Sequence, residues 1–220
     1  MTQPPPTRWA LAGPDASAGF GRKFGDLVAE GADVHGEARL ADTLLPRGAR
    51  VLDVGAGMGR VGAGLAARGH RVVAVEPDAA LVVQARATFP DLDLLHADGL
   101  DLSPALLGPE RPHEFDLVVL VGNVMVFLAE GTERALLARV RAHLGARGRV
   151  LVGFHLVGAP PAARRYPPEE FVADAEAAGL RVDARFGSYE LHPAGTDYAV
   201  WLLSPVDAGT PGATDVGHVR

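Results

Sequence analysis

Cysteine is missing from all 220 residues. Its absence excludes a disulfide scaffold, a thiolate metal site and a cysteine nucleophile. Positive charge is short as well: 21 Lys and Arg stand against 27 Asp and Glu, a formal net charge of −6, and Lys23 is the only lysine. That balance is the wrong sign for holding a polyanion, so no nucleic-acid partner is expected. No apolar run reaches the roughly 20 residues needed to cross a bilayer, so no membrane contact is expected either. The opening "MTQPPPTRWALAG" lacks a basic start followed by an apolar stretch, so it does not read as a secretory signal, and a cytoplasmic location is the expectation. The histidines show no metal-ligand spacing, and no metal is expected.

What is present is alternation. Strands are predicted at Arg50–Val54, Arg71–Pro77, Leu92–Asp98, Phe115–Asn123 and Gly148–Leu156. Helical patterns separate them: Leu81, Ala85 and Phe89 share one face behind the N-cap candidate Asp78, and Leu136, Val140 and Leu144 share another between Thr132 as cap and Gly145 as stop. Strands alternating with helices imply a doubly wound, mostly parallel α/β sheet with right-handed crossovers. The rhythm then breaks. After a helix in "YPPEEFVADAEAAGL", the segments "RVDARFGSYEL" and "TDYAVWLLSP" are separated only by "HPAG", too short for a helix, so they pair as an antiparallel hairpin. The expected layout is cap helices over 1–49 ("AGFGRKFGDLVAEG" and "HGEARLADTLLP"), a core over 50–205, and a disordered tail over 206–220.

The stretch "DVGAGMGRVG" (Asp53–Gly62) holds two glycine fingerprints. From Gly57 it reads Gly-x-Gly-x-x-Gly, which cradles a dinucleotide pyrophosphate. From Asp53 it reads Asp-x-Gly-x-Gly-x-Gly. The strand ends at Val54, so the turn starts at Gly55, and the Gly57 frame begins two residues late. Asp53 at a strand end is also expected to face the ligand crevice, where a carboxylate repels pyrophosphate and suits a cationic ligand. Gly62 and Gly64 then serve close packing of the helix on the sheet. S-adenosylmethionine, with a sulfonium, an ammonium and no phosphate, satisfies this turn. Glu76 ends the second strand, where it can accept from ribose hydroxyls. Asp98 ends the third, where it can accept from the adenine amine, with the N–H of Gly99 or Leu100 for a ring nitrogen.

Residues from about Arg50 to His155 resemble a class I S-adenosylmethionine-dependent methyltransferase, through "VLDVGAGMGR", "VVAVEPD", "LLHADGLDL" and "FDLVVLVGNVMVFL". The resemblance extends over most of Ala32–Ser204 and implies a Rossmann-like seven-stranded sheet, with the seventh strand antiparallel between the fifth and sixth. It implies Gly55, Gly57 and Gly59 around the methionine moiety, Glu76 at the ribose, Asp98 at the adenine, and Asn123 beside the amino group and the substrate. The N-terminal stretch looks like a bacterial branch of unassigned substrate. The expected activity is in-line methyl transfer to a small-molecule acceptor, in which positioning does most of the work. "GNVM" replaces the Asn/Asp-Pro-Pro-Tyr/Phe of DNA-type N-methyltransferases.

Other readings stay open. Asp98 and Asn123 also suit Asx turns. His155 ends the fifth strand and is a candidate general base, or a rim histidine. Arg22, Lys23 and Arg39 are candidates for the methionine carboxylate, His35, Glu37 and Arg39 for covering the cofactor, Tyr189, His192 and Tyr198 for substrate contact, and Arg164 with Arg165 for an anion; each also reads as surface or packing. Rival functions are an NAD(P)-dependent oxidoreductase, a non-catalytic S-adenosylmethionine binder, and transfer of another group from a similar donor. The oligomeric state is open.

Overall fold

The computed structural model describes residues 4–206. The tail expected over 206–220 lies outside the described residues apart from Val206. The chain enters through α1 (Arg8–Leu11), α2 (Pro14–Ala29) and α3 (Gly36–Thr43). It then runs β1 (Arg50–Val54), α4 (Arg60–Ala66), β2 (Arg71–Glu76), α5 (Ala79–Thr88), β3 (Leu94–His96), α6 (Pro104–Leu107), β4 (Phe115–Leu120), α7 (Val124–Phe127) and α8 (Glu133–Ala142). β5 (Leu144–His155), α9 (Pro168–Ala177), β6 (Leu180–Phe186) and β7 (Tyr198–Pro205) complete it.

One seven-stranded sheet carries the order β3-β2-β1-β4-β5-β7-β6. β7 pairs antiparallel with both β5 and β6, and the remaining neighbours are parallel. Side-chain alternation sends consecutive residues to opposite faces, and both faces are buried, which is why the central strands read as unbroken apolar runs. Leu52, Val118, Leu120, Val150 and Val152 pack with Leu136 and Leu137 of α8 and Phe171 of α9. Val51, Leu117, Val119 and Leu151 pack with Ala38 and Leu40 of α3 and with Val61 and Leu65 of α4.

Several boundaries differ from the sequence reading, each for a local reason. β4 stops at Leu120 because Gly122 and Asn123 take positive φ, 72° and 81°. Thr132 holds the N-cap position of α8 as expected, but its side chain makes no capping bond: Oγ1 donates back to the Ala129 carbonyl at 2.7 Å. Gly145 does not stop the helix but lies inside β5, which starts at Leu144 and slips register against β4 between Phe115 and Leu117. Gly148 belongs to the same irregularity: a Cβ there would lie 2.7 Å from the Phe115 carbonyl oxygen. The β6–β7 link is longer than "HPAG", because β6 ends at Phe186 and residues 187–197 form a loop. α1, four residues long, gave no periodic signal.

α9 and the last hairpin meet over an aromatic nest, with Phe154 5.2 Å from Phe171 and Phe171 4.9 Å from Trp201 between ring centroids. Tyr166 Oη donates to Asp174 Oδ2 at 2.6 Å, and Arg134 Nε donates to Oδ1 at 2.5 Å. Tyr166→Phe is expected to cost about 1–3 kcal/mol, because buried Asp174 loses one of these donors. Urea unfolding checks this, and an unchanged midpoint contradicts it.

Candidate active site

The site is built at the carboxyl ends of the parallel strands. Between β1 and α4 the chain turns through Gly55, Gly57 and Gly59, at φ 71°, 58° and 84°. L side chains rarely adopt that region, so the turn demands glycine. The N–H groups of Gly55 and Ala56 both donate to the Val75 carbonyl, which ties the turn to β2. α4 starts at Arg60, leaving Gly62 and Gly64 inside the helix. A Cβ on Gly62 would lie 3.1 Å from Asp53 Oδ2, so this glycine packs on β1. Gly64 packs on α3, not on the sheet: its Cβ would lie 2.9 Å from His35 Nδ1 and 3.1 Å from the Ala38 Cβ.

Beside the turn a crevice of about 780 Å³ opens to solvent. Gly55, Gly57, Glu76, Gly99, Gly122 and Asn123 line it. Pro77, Leu81, Val124 and Phe127 form apolar walls, and Thr7, Trp9 and Phe20 reach it from the N-terminal helices. Trp9 is held there by its Nε1, which donates to Asp78 Oδ2 at 2.8 Å, and by edge contacts with Phe20 and Phe127 at 5.5 and 5.2 Å. Glu76 is only 4% exposed. Its Oε2 accepts from Gly57 N at 2.7 Å and its Oε1 from Asp78 N at 2.8 Å. These two donors fix the carboxylate, and each oxygen keeps accepting capacity toward the crevice. Burial pushes the Glu76 carboxyl up to about 7.

The other expected site residues fall in different places. Asp53 does not line the crevice; Val54 does. Alternation puts Asp53 on the same face as Val51, where it is buried under α4 against Gly62, with Oδ2 lacking a hydrogen-bond partner among the described residues. The charge argument against pyrophosphate therefore weakens, while the starting point of the turn keeps its force. Gly59 is also off the lining, and a Cβ there would strike Leu92 at 2.7 Å. Asp98 caps the turn after β3, its Oδ1 accepting from Leu100 N at 2.8 Å, so the Leu100 N–H is already engaged. Asn123 lies on the lining, and its Oδ1 accepts from His155 N at 2.9 Å with His155 Nδ1 3.0 Å away.

Burial also pushes the Asp53 carboxyl up, to about 7. A carboxyl raised in the folded state makes the fold lose stability as pH climbs from its unfolded value, about 4, through about 7. Asp33, Asp42, Asp116 and Glu190 are lowered, so their stabilising effect changes only below the usual carboxylate range. Between pH 5 and 8 the wild type is therefore expected to lose stability through Asp53 and Glu76. Asp53→Asn should recover about 2 kcal/mol of that loss. Urea midpoints at pH 5 and pH 8 measure it; equal slopes for both proteins contradict it.

Arg60, which follows the third glycine, escaped the sequence reading. Its Nη1 donates to Glu37 Oε2 at 2.7 Å and to the Val34 carbonyl at 2.8 Å, and its Nη2 also bonds Glu37. Its guanidinium sits 4.9 Å from the Phe24 ring centroid. The "GMGR" placement was the only signal, because Glu37 is 23 residues earlier. Trp9 and Phe20 also escaped; nothing local marks them as crevice residues. Arg39 is taken by Asp33 at 2.6 Å, while Arg22 and Lys23 are exposed. His192 is exposed and bonded to Ser188, apart from the Tyr189–Tyr198 contact. Arg164 bonds Glu133 and Glu170, so it serves that network instead of an anion.

The crevice fits S-adenosylmethionine: a side-chain-free turn, a fixed carboxylate at the end of β2, and apolar walls for a flat ring. A methyltransferase-domain family model matches residues 52–150. A TehB-like S-adenosylmethionine-dependent methyltransferase from Corynebacterium glutamicum is 34% identical, covering 88% of this chain and 100% of its own, with a TM-score of 0.76. The CcbJ methyltransferase from Streptomyces caelestis is 18% identical, covering 78% of this chain and 89% of its own, TM-score 0.67. The 1,6-didemethyltoxoflavin-N1-methyltransferase from Burkholderia thailandensis, with 1,6-didemethyltoxoflavin and S-adenosylhomocysteine bound, is 22% identical over 94% of each chain, TM-score 0.60. The last two share the fold. No curated protein gives a significant match. The chain belongs to the S-adenosylmethionine-dependent methyltransferases, and S-adenosylmethionine is its cofactor.

Proposed function

We propose that the enzyme methylates an N–H or O–H group of a small molecule, with His155 as general base. One observation carries this reading: Asn123 Oδ1 takes the His155 backbone N–H and faces its Nδ1. The backbone donor fixes Asn123 Oδ1 as an acceptor, which requires His155 to hold its proton on Nδ1. Nε2 then keeps a lone pair for an incoming proton. Burial also lowers the proton affinity of His155 below that of a free imidazole, so the ring is neutral at pH 7.

When bound, the cofactor supplies an electrophilic methyl group on a sulfonium centre. The chain's own residues hold and orient. Glu76 accepts from the ribose hydroxyls, the Gly55–Gly59 turn takes the methionine moiety, and Asp53 adds negative charge from beneath it. Asp98 accepts from the adenine amine, with the Gly99 N–H for a ring nitrogen. Residues 1–49 act as a cap, with Trp9 and Phe20 excluding water, over a core of 50–205.

The mostly apolar crevice and the net charge of −6 support a small-molecule acceptor. The 1,6-didemethyltoxoflavin complex offers an analogy on the same fold. Among the described residues no helix is long and apolar enough to cross a membrane. Release of S-adenosylhomocysteine over a set of phenols, lactams and amines tests the proposal. Turnover on N–H or O–H acceptors is expected; turnover only on duplex DNA or RNA contradicts it.

A further inference from the structure

One polar group lies unused just behind the crevice lining, which reaches Gly122 and Asn123 but not His155, Tyr189 or Tyr198. β5 and β7 place His155 directly opposite Tyr198, with ring centroids 4.8 Å apart at 88°. The 187–197 loop folds back so that Tyr189 Oη lies 2.9 Å from Tyr198 Oη. Gly153 makes the room: a Cβ there would lie 2.0 Å from Tyr189 Oη and 2.9 Å from Tyr198 Oη. Glycine weakens a strand interior, and a close approach of another group is the usual reason to find it there. The neighbouring Gly153 carbonyl accepts from Asn123 N, so the hydroxyl pair and the crevice lining share one piece of backbone.

Two hydroxyls carry two protons, and only one fits between the two oxygens. The backbone N–H of Gly122 is directed at both oxygens, and it brings a further donor, not an acceptor. Among the described residues neither hydroxyl has another hydrogen-bond acceptor. One O–H therefore lacks a protein acceptor, and an unpaired donor that is largely out of water is unfavourable. Both hydroxyls are protonated at neutral pH, and burial raises them above the usual phenol value, Tyr198 to about 12.

We propose that the Tyr189–Tyr198 pair is the hydrogen-bond donor of the acceptor subsite, holding an oxygen or nitrogen next to the N–H or O–H that His155 deprotonates. The inference rests on the N–H or O–H methylation proposed above and narrows its substrates to molecules with two neighbouring heteroatoms. A vicinal diol on a ring and a lactam N–H beside its carbonyl are both of this class. Aromatic and polar walls then sort acceptors by the second heteroatom.

Calorimetric titration of catechol and of phenol into the protein saturated with S-adenosylhomocysteine tests it. Wild type is expected to bind catechol roughly tenfold tighter than phenol, the worth of one hydrogen bond. Tyr198→Phe and Gly153→Ala should each bring that ratio close to one while affinity for S-adenosylhomocysteine stays unchanged. The first removes a hydroxyl; the second keeps both and displaces them. A ratio near one in wild type, or a ratio that survives both substitutions, overturns the proposal. A catechol methylation rate unaffected by His155→Ala would overturn the base assignment instead, so the two failures are distinguishable.

Discussion

Glu76→Ala is expected to weaken S-adenosylhomocysteine binding by about 1.5–3 kcal/mol, roughly 10- to 150-fold. The loss has two parts. Charge-assisted bonds to the ribose disappear, and the N–H groups of Gly57 and Asp78 lose the carboxylate that holds them. Because burial raises Glu76 to about 7, ligand binding must draw on the ionised form. Affinity should therefore fall as pH drops below about 7, by at most tenfold per pH unit for this group. Asp53 titrates near the same value. Glu76→Gln separates the two, because it removes the ribose-facing charge and leaves Asp53 in place. Calorimetry from pH 5.5 to 8.5 reads both effects. An Ala variant of unchanged affinity rejects the ribose assignment, and an unchanged pH slope in the Gln variant rejects the linkage.

His155→Ala should lower kcat by roughly 10²- to 10⁴-fold on an acceptor that must lose a proton, with affinity for S-adenosylhomocysteine intact. The pH–rate profile supplies the sharper reading. Since burial holds His155 below the usual imidazole value, the acid limb of kcat/KM should fall at a lower pH than for a free histidine. Asn123→Ala should cost less, because it frees the tautomer without removing the base. A histidine that merely packs on the rim would leave the acid limb in place when replaced, and that outcome refutes the base assignment.

The parts of the fold that were legible are those written in local pattern. Apolar runs ending at glycine, helices between them and a final pair of strands without room for a helix led to the doubly wound sheet and its antiparallel last strand. The misread parts depend on distant partners. Gly145 resembles a helix stop until β4 is beside it, and then it lies in a register slip. Asp53 stands at a strand end, yet which face it takes depends on Gly62 and α4. "GSYEL" reads as strand because Tyr favours strands. Tyr189 instead sits in a loop, where Tyr198 and the space over Gly153 hold it. The crevice shows the same division. Its glycine turn and Glu76 lie within 22 residues of one another, so the motif carries them. Trp9, Phe20 and the Arg60–Glu37 pair arrive from the N-terminal helices, and only packing brings them in.

The central claim is that one crevice joins the cofactor turn to the Asn123–His155 end of the sheet. A crystal structure with S-adenosylhomocysteine bound tests it most directly. The ribose hydroxyls are expected on Glu76, the amino-acid end along the Gly55–Gly59 turn, and the sulfur facing the space between Asn123, His155 and the Tyr189–Tyr198 pair. A sulfur opening toward α5, with His155 and the tyrosines behind a closed wall, would contradict it.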